Sequence, residues 1–404
     1  MTTVSEPLRG AAVANANHDR IAFARTEISL EAREAAARVL ASGWVTSGPE
    51  VVEFEREFAA YVGAKYAVAV ASCTAAIELA LRALRLRPGA KVLTPTLTFC
   101  GAVHAIVSAG CVPVLVDCDP ATVMPDEATT AAAAARAGGV DAMVVLHYAG
   151  MPAPVEALAA AAGLPLERVV EDAAHAFGTW VGERPVGTIS AATCFSFYAT
   201  KNLPIGEGGM VTTADPTVDD HVRRARLHGM SRDAWKRYLP GSSWRYEVDT
   251  PGIKANLTDV QAAIGRAQLP WFAAWQRRRE ALAARYQLGL AGIPGLRPAP
   301  RPAAGRHAWH LYVVQVEPEF GRSRDDVAAL LAGRGIGTSV HFIPQHQQPY
   351  FRRLLGEHIA SWFPGADTAF QRILSLPLYP SLSDEQVDRV CGALAELHRS
   401  TSAA

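Results

Sequence analysis

The chain has 404 residues, half of them hydrophobic, with 39 basic and 39 acidic side chains, which exceeds the usual single-domain size and is ample for large buried cores. With a formal net charge of zero, nothing suggests a nucleic-acid footprint or a basic membrane-surface patch. Six cysteines (Cys73, Cys100, Cys111, Cys118, Cys194, Cys391) show no Cys-x-x-Cys spacing and mostly lie in apolar runs, so buried reduced thiols are expected rather than disulfides or a metal site.

Residues 1–25 read as a flexible arm without an apolar leader segment, and no stretch is long and uncharged enough to span a bilayer. A cytoplasmic protein is expected. An amphipathic helix follows Ser29, its plausible N-cap, and ends at Gly43. A second helix over 50–61 carries Val51, Phe54 and Phe58 on one stripe. Strands at 66–71, 91–94, 112–117, 142–147 and 168–171 then alternate with helices at 74–86, 99–109, 128–137 and 155–162. This rhythm predicts a mostly parallel sheet covered on both faces. Residues 229–256 form a long aromatic loop of the kind that is usually functional. A helical region over 257–288 is interrupted at Pro270. Strands at 310–316 and 337–342, a helix at 323–333 and a terminal helix from Ser383 describe a smaller α/β unit. The expected organisation is an arm over 1–25, a large domain over 26–270 including the 229–256 loop, and a long helix with a small domain over 271–404.

Three strand ends carry chemistry. Thr193–Val211 runs from an apolar strand through Thr200-Lys201-Asn202 into a turn with Gly206, Gly208 and Gly209. Burial there would disfavour the ammonium form of Lys201 and make its amine nucleophilic, as a Schiff base with an aldehyde cofactor requires. The alternative is a strand-end lysine that reaches into water. Ser72-Cys73-Thr74 opens a helix, offering either an anion site for a phosphate or plain capping. Asp172 ends a third strand within Glu171-Asp172-Ala173-Ala174-His175. It would serve either as the partner of a protonated pyridine nitrogen or as a helix cap. With Ser196 added, the set describes a pyridoxal phosphate pocket at the carboxyl ends of the strands. Neither a G-x-G-x-x-G nor a P-loop pattern is present.

The stretches G-W-V-T-S-G-P-E-V-V-E-F-E (43–55), Y-A-V-A-V-A-S-C-T-A-A-I-E-L-A (66–80), P-T-L-T-F (95–99), V-E-D-A-A-H-A-F-G (170–178), C-F-S-F-Y-A-T-K-N-L-P-I-G-E-G-G-M (194–210), L-T-D-V-Q-A-A-I-G (257–265) and S-V-H-F-I-P-Q-H-Q-Q-P-Y (339–350) resemble the sugar-nucleotide aminotransferases of the DegT/StrS type. The resemblance runs from about residue 25 to 395. It implies a fold-type-I pyridoxal phosphate enzyme of α/β class, with a mostly parallel seven-stranded sheet between helices. The cofactor would alternate between pyridoxal and pyridoxamine phosphate. Lys201 would hold it as a Schiff base and then carry the proton. Asp172 would pair with the ring nitrogen, His175 would sit near the phenolic oxygen, and Phe99 would stack on the ring. Ser72, Cys73, Thr74 and Ser196 would hold the phosphate, joined by Asn256 or Lys254 from a neighbouring subunit. An active site shared across a homodimer follows from that last role.

The chain departs from the family pattern at Cys73, where many relatives have glycine, and at Ile253 and Ala255, where an aromatic is usual. The insertion around H-G-M-S-R-D-A-W-K-R-Y and the run H-F-I-P-Q-H-Q-Q-P-Y resemble the subgroup that aminates C4 of a keto-hexose nucleotide. Arg232, Lys236, Arg237 and Arg245 give the loop cations suited to a diphosphate, and His341 and His346 are further substrate candidates. The expected reaction converts a dTDP-4-keto-6-deoxyhexose, with L-glutamate as donor, to the 4-amino sugar of a natural-product glycoside. Amination at C3 is the alternative. A sugar dehydratase of this fold would need histidine at position 201, and a silent regulator would not need the full set of site residues.

Overall fold

The computed structural model describes residues 20–230 and 245–402. Among the described residues, nine strands lie between positions 66 and 213: β1 (Tyr66–Val70), β2 (Lys91–Pro95), β3 (Val112–Val116), β4 (Ala142–Leu146), β5 (Val169–Asp172), the short pair β6 (Trp180–Val181) and β7 (Arg184–Pro185), β8 (Ala192–Ser196) and β9 (Gly209–Thr213). Seven of them form one sheet in the order β1-β9-β8-β5-β4-β2-β3. β3, β2, β4, β5 and β8 run parallel, whereas β9 is antiparallel to both β8 and β1. The seven-stranded, mostly parallel α/β sheet expected from the sequence is therefore present.

Side chains alternate across a strand with period two, and the cores follow that period. Val68, Val70, Val144, Val170, Cys194 and Val211 face one core with helix Cys73–Ala83. Ala67, Ala69, Phe195 and Met210 face the opposite one, with Phe54, Phe58, Phe177 and Phe272. Met143, Val145 and Val169 continue that second face toward β3. On β5 the same parity sends Asp172 to the side of Val170 and Glu171 to the side of Val169.

Three more strands, β10 (Leu296–Arg297), β11 (Tyr312–Val316) and β12 (Ile373–Leu376), make an antiparallel sheet in that order. Its core includes Tyr286 and Leu290 of helix Phe272–Leu290 and Val390 and Leu394 of helix Asp384–Ser402. The interruption at Pro270 is a single turn, Leu269–Trp271, between helices Asp259–Gln268 and Phe272–Leu290. Ser29 and Ser383 cap their helices by accepting from the amides of Ala32 and Gln386.

Two expectations change. Residues 337–342 form no strand: Ser339 bridges Ser375 and the chain then leaves the edge of β12 toward the first sheet. The arm is docked from residue 20, because Ile21 pairs with Ile336 and is 1% exposed in the second core. All six cysteines are free. No helix among the described residues is long and apolar enough to cross a membrane.

Candidate active site

The carboxyl ends of β1, β5 and β8 open on a cavity of about 500 Å³ between the two sheets. Ser72, Cys73, Thr74, Phe99, Asp172, His175, Ser196, Lys201 and His341 line it, as do Phe23, Thr98, His310 and Phe342. Nine of the thirteen sequence candidates in the described region are thus brought together, from segments separated by up to 269 positions.

Lys201 follows a tight turn closed by its own amide to the carbonyl of Tyr198 (2.8 Å). Its amine makes no hydrogen bond or ion pair among the described residues. The surrounding walls desolvate it, and although Asp172 favours the charged form, its pKa falls to about 8. Gly206 closes the loop with φ +95°. Gly209 is needed for close approach, since a Cβ there would lie 2.6 Å from the carbonyl carbon of Ser72.

Asp172 is 5% exposed. Burial pushes its carboxyl up, opposed by the amide of Ala174 at 3.1 Å and by the charge of Lys201. The bond to Ala174 is the capping-type contact foreseen as the plain role of Asp172, and it occupies only one oxygen. Cys73 packs beside that oxygen, with Sγ 3.8 Å from Asp172 Oδ1 and 3.3 Å from the carbonyl of Cys194. Burial holds its thiol protonated, so the side chain of Cys73 is turned to the carboxylate and only its backbone is left for an anion. Ser72 caps helix Cys73–Ala83 through the amide of Ala75 (3.2 Å), while Ser196 accepts from the amide of Tyr198 (3.3 Å).

Three histidines stand around the lysine, and burial keeps each neutral. His175 and His310 fall well below the usual histidine range, and His341 falls to about 4, with the charge of Lys201 adding to each shift. The amide of Ala149 donates to His175 Nδ1 (3.2 Å), so the proton of the neutral ring sits on Nε2. His310 shows the reverse. Asn202 donates its NH2 to the carbonyl of Ala308 (2.8 Å) and turns Oδ1 toward His310 Nδ1 (3.1 Å). Nδ1 of His310 therefore carries the proton and Nε2 accepts. The two rings lie 4.5 Å apart.

Some candidates lie elsewhere. His346 does not line the cavity: it is 2% exposed, with Nδ1 on Thr96 Oγ1 (2.8 Å) and Nε2 on Asp367 (2.9 Å), so neither ring nitrogen is left for a substrate. Lys254 and Asn256 lie outside their own chain's cavity. Lys254 Nζ donates to Asn256 Oδ1, and Asn256 Nδ2 donates to Ser47 Oγ (2.7 Å). Arg245 is exposed; Arg232, Lys236 and Arg237 fall outside the described residues.

The donor set fits a pyridoxal phosphate. Thr98 is 1% exposed and its buried hydroxyl has no partner, as expected of a group awaiting a ligand oxygen. The buried carboxylate of Asp172 suits a pyridinium, the lysine suits an aldehyde, and Phe99, exposed and 5.8 Å from Phe342, suits ring stacking. Sequence reading missed Thr98, Asn202, His310, Phe23 and Phe342. Asn202, Thr98 and Phe342 each adjoin a predicted residue (Lys201, Phe99 and His341), whereas Phe23 and His310 carried no local cue. No cluster of metal-ligating side chains occurs among the described residues.

Comparison with known proteins agrees. The model of the DegT/DnrJ/EryC1/StrS aminotransferase family matches residues 26–395. The spore coat polysaccharide biosynthesis protein SpsC of Bacillus subtilis is 46% identical over 372 residues, 92% of this chain and 95% of that one. Spr1654 of Streptococcus pneumoniae, solved in PMP and PLP forms, is 29% identical in both, with TM-scores of 0.85 and 0.84. The PMP form is matched over 94% of this chain and 100% of its own, the PLP form over 95% and 99%. The sugar aminotransferase CalS13 of Micromonospora echinospora is 28% identical, with a TM-score of 0.82 over 93% of this chain and 99% of its own.

Proposed function

Because this chain belongs to the DegT/DnrJ/EryC1/StrS aminotransferase family, and so is a pyridoxal phosphate-dependent sugar aminotransferase, we propose that it aminates C4 of a nucleotide-linked 4-keto-6-deoxyhexose. The best candidate is dTDP-4-keto-6-deoxyglucose, with L-glutamate as amine donor. The observation that carries the reading is the convergence of Lys201, Asp172, His175 and the unpartnered Thr98 hydroxyl on one cavity, walled by His341 and Phe342 of the H-F-I-P-Q-H run.

The cofactor, when bound, supplies an electron sink for the carbon that loses its proton. The chain's residues do the rest. Asp172 balances the ring nitrogen, and Phe99 covers the ring. His175 would present its Nε2–H to the cofactor's phenolic oxygen. The open amides at the start of helix Cys73–Ala83, with Thr74, Ser196 and Thr98, hold the phosphate. Lys201 Nζ, whose ammonium form burial disfavours, would be the base that carries the proton. His310 Nε2 offers an acceptor for a sugar hydroxyl.

Among the described residues lining the cavity, Lys201 is the only cation, because the three histidines are neutral. A diphosphate and the donor's carboxylates therefore call for further cations, and the sequence offers Arg232, Lys236, Arg237 and Arg245 as candidates. Lys254 and Asn256, both outside their own cavity, support a homodimer with shared sites. Mixing inactive Lys201→Ala protein with inactive Lys254→Ala/Asn256→Ala protein is expected to restore up to about a quarter of wild-type turnover, through the one intact site of each mixed dimer. Zero recovery under verified subunit exchange counts against shared sites.

The pKa of Lys201 sets a pH dependence. In apoprotein the neutral amine is the nucleophile, so the rate of pyridoxal phosphate capture is expected to rise with pH up to about 8 and then level off. Stopped-flow absorbance across that range measures it, and a rise continuing toward the ordinary lysine pKa contradicts it. For the substrate, a panel of 3-keto and 4-keto sugar nucleotides with product structures decides the carbon. The 4-amino product is expected, and turnover of the 3-keto isomers alone would replace the reading with amination at C3.

A further inference from the structure

Glu171 precedes Asp172 on β5 and points to the opposite face of the sheet, away from the cavity. It is completely buried, as is His147, yet neither touches the site. An ionisable group buried there is costly unless its hydrogen bonds are complete. They are complete. His147 Nε2 lies 2.8 Å from Glu171 Oε2, and the other oxygen accepts from Ser190 Oγ (2.7 Å) and Thr193 Oγ1 (3.0 Å). Burial pushes Glu171 up, but these bonds outweigh it and hold the carboxyl below its ordinary value. The amide of Ala153 donates to His147 Nδ1 (3.0 Å), so Nε2 carries the proton and points it at the carboxylate.

His147 is thereby fastened to β5 and opens the loop that leaves β4. This loop touches every histidine of the cavity wall. The amide of Ala149 sets the tautomer of His175. The carbonyl of Ala149 accepts from the amide of His310 (3.0 Å), and that of Gly150 accepts from Ala308 (2.9 Å) and Thr179 (2.7 Å). The hydroxyl of Tyr148 donates to the carbonyl of His341. Ala149 holds φ +57°, which a non-glycine residue keeps only when its surroundings impose it.

We infer that Glu171 and His147 are positioning residues: the pair clamps the loop after β4, so that the amide of Ala149 keeps the proton of His175 on Nε2, facing the cofactor. The inference rests on the role proposed above for His175. Its spectroscopic test is independent of which sugar is used.

The test is 15N-histidine NMR of the cofactor-loaded enzyme. Wild type is expected to show His175 as a single Nε2–H tautomer. In Glu171→Leu, His147 loses its acceptor, and the two nitrogens of His175 are expected to shift toward an averaged pair. kcat should fall on the order of 10- to 100-fold, as for other groups that orient a ligand's contacts, while the KM for the nucleotide sugar stays near wild type. Glu171→Gln keeps an acceptor for His147 and an NH2 that Ser190 and Thr193 can accept, so it should restore the wild-type signals. Should Glu171→Leu not fold, His147→Phe breaks the same bond from the other side and is read the same way. An unchanged His175 in the disruptive variant overturns the inference, and so does a Glu171→Gln protein as disturbed as Glu171→Leu.

Discussion

Lys201→Ala protein is expected to fold, to lose the visible absorbance of lysine-bound pyridoxal phosphate, and to lose at least about 10⁴-fold in turnover. The fold should survive because the lysine amine makes no hydrogen bond or ion pair among the described residues, so alanine strands no partner there. Truncation also removes a group whose charge burial opposes. Activity should collapse because, among the described residues lining the cavity, no other amine can take over. Cys73 faces Asp172 with its thiol held protonated, and the histidines are neutral and committed at Nδ1. Absorbance scans and single-turnover assays with glutamate measure both effects, and a variant that still aminates at a wild-type rate removes Lys201 from its role.

Asp172→Asn is expected to keep the fold and to lose on the order of 10²- to 10³-fold in kcat, roughly 3–4 kcal/mol of barrier. Asparagine matches the shape of aspartate and still accepts from the amide of Ala174, so the turn after β5 persists. What disappears is the negative charge. In a site where burial already works against that charge, its retention by the folded chain argues for a positive partner. Weaker cofactor retention should accompany the loss. Dialysis against buffer without cofactor, followed by absorbance, reads that directly. A variant with unaltered kcat and retention would reduce Asp172 to a cap.

Period-two burial and the strand–helix rhythm made the first sheet legible. Each strand there presents apolar residues to two cores, and such runs read plainly as buried parallel strands. The second sheet was less legible. β10 is two residues long, β12 follows a helix over 364–372 that the sequence did not mark, and residues 337–342 have a strand's composition but bridge only at Ser339. Their pairing depends on what lies alongside, which no local pattern records.

His341 and His346 stand five residues apart in one motif and read alike. The folded chain sends one to the cavity wall and the other into bonds with Thr96 and Asp367. His310 and Phe23 lay in no quoted motif, Thr98 and Phe342 lay in quoted motifs without being singled out, and all four became site residues only when distant segments met. By itself, the sequence determined the chemistry: a lysine, an aspartate and a capped helix start at three strand ends, each where local residue type and strand termination suffice to mark it. Only the tertiary structure decided the electrostatics and the protonation. Desolvation of Lys201, the opposed tautomers of His175 and His310, and the burial of Glu171 behind Asp172 all depend on atoms brought close from far along the chain, and both dielectric and hydrogen-bond geometry are properties of that assembled surrounding.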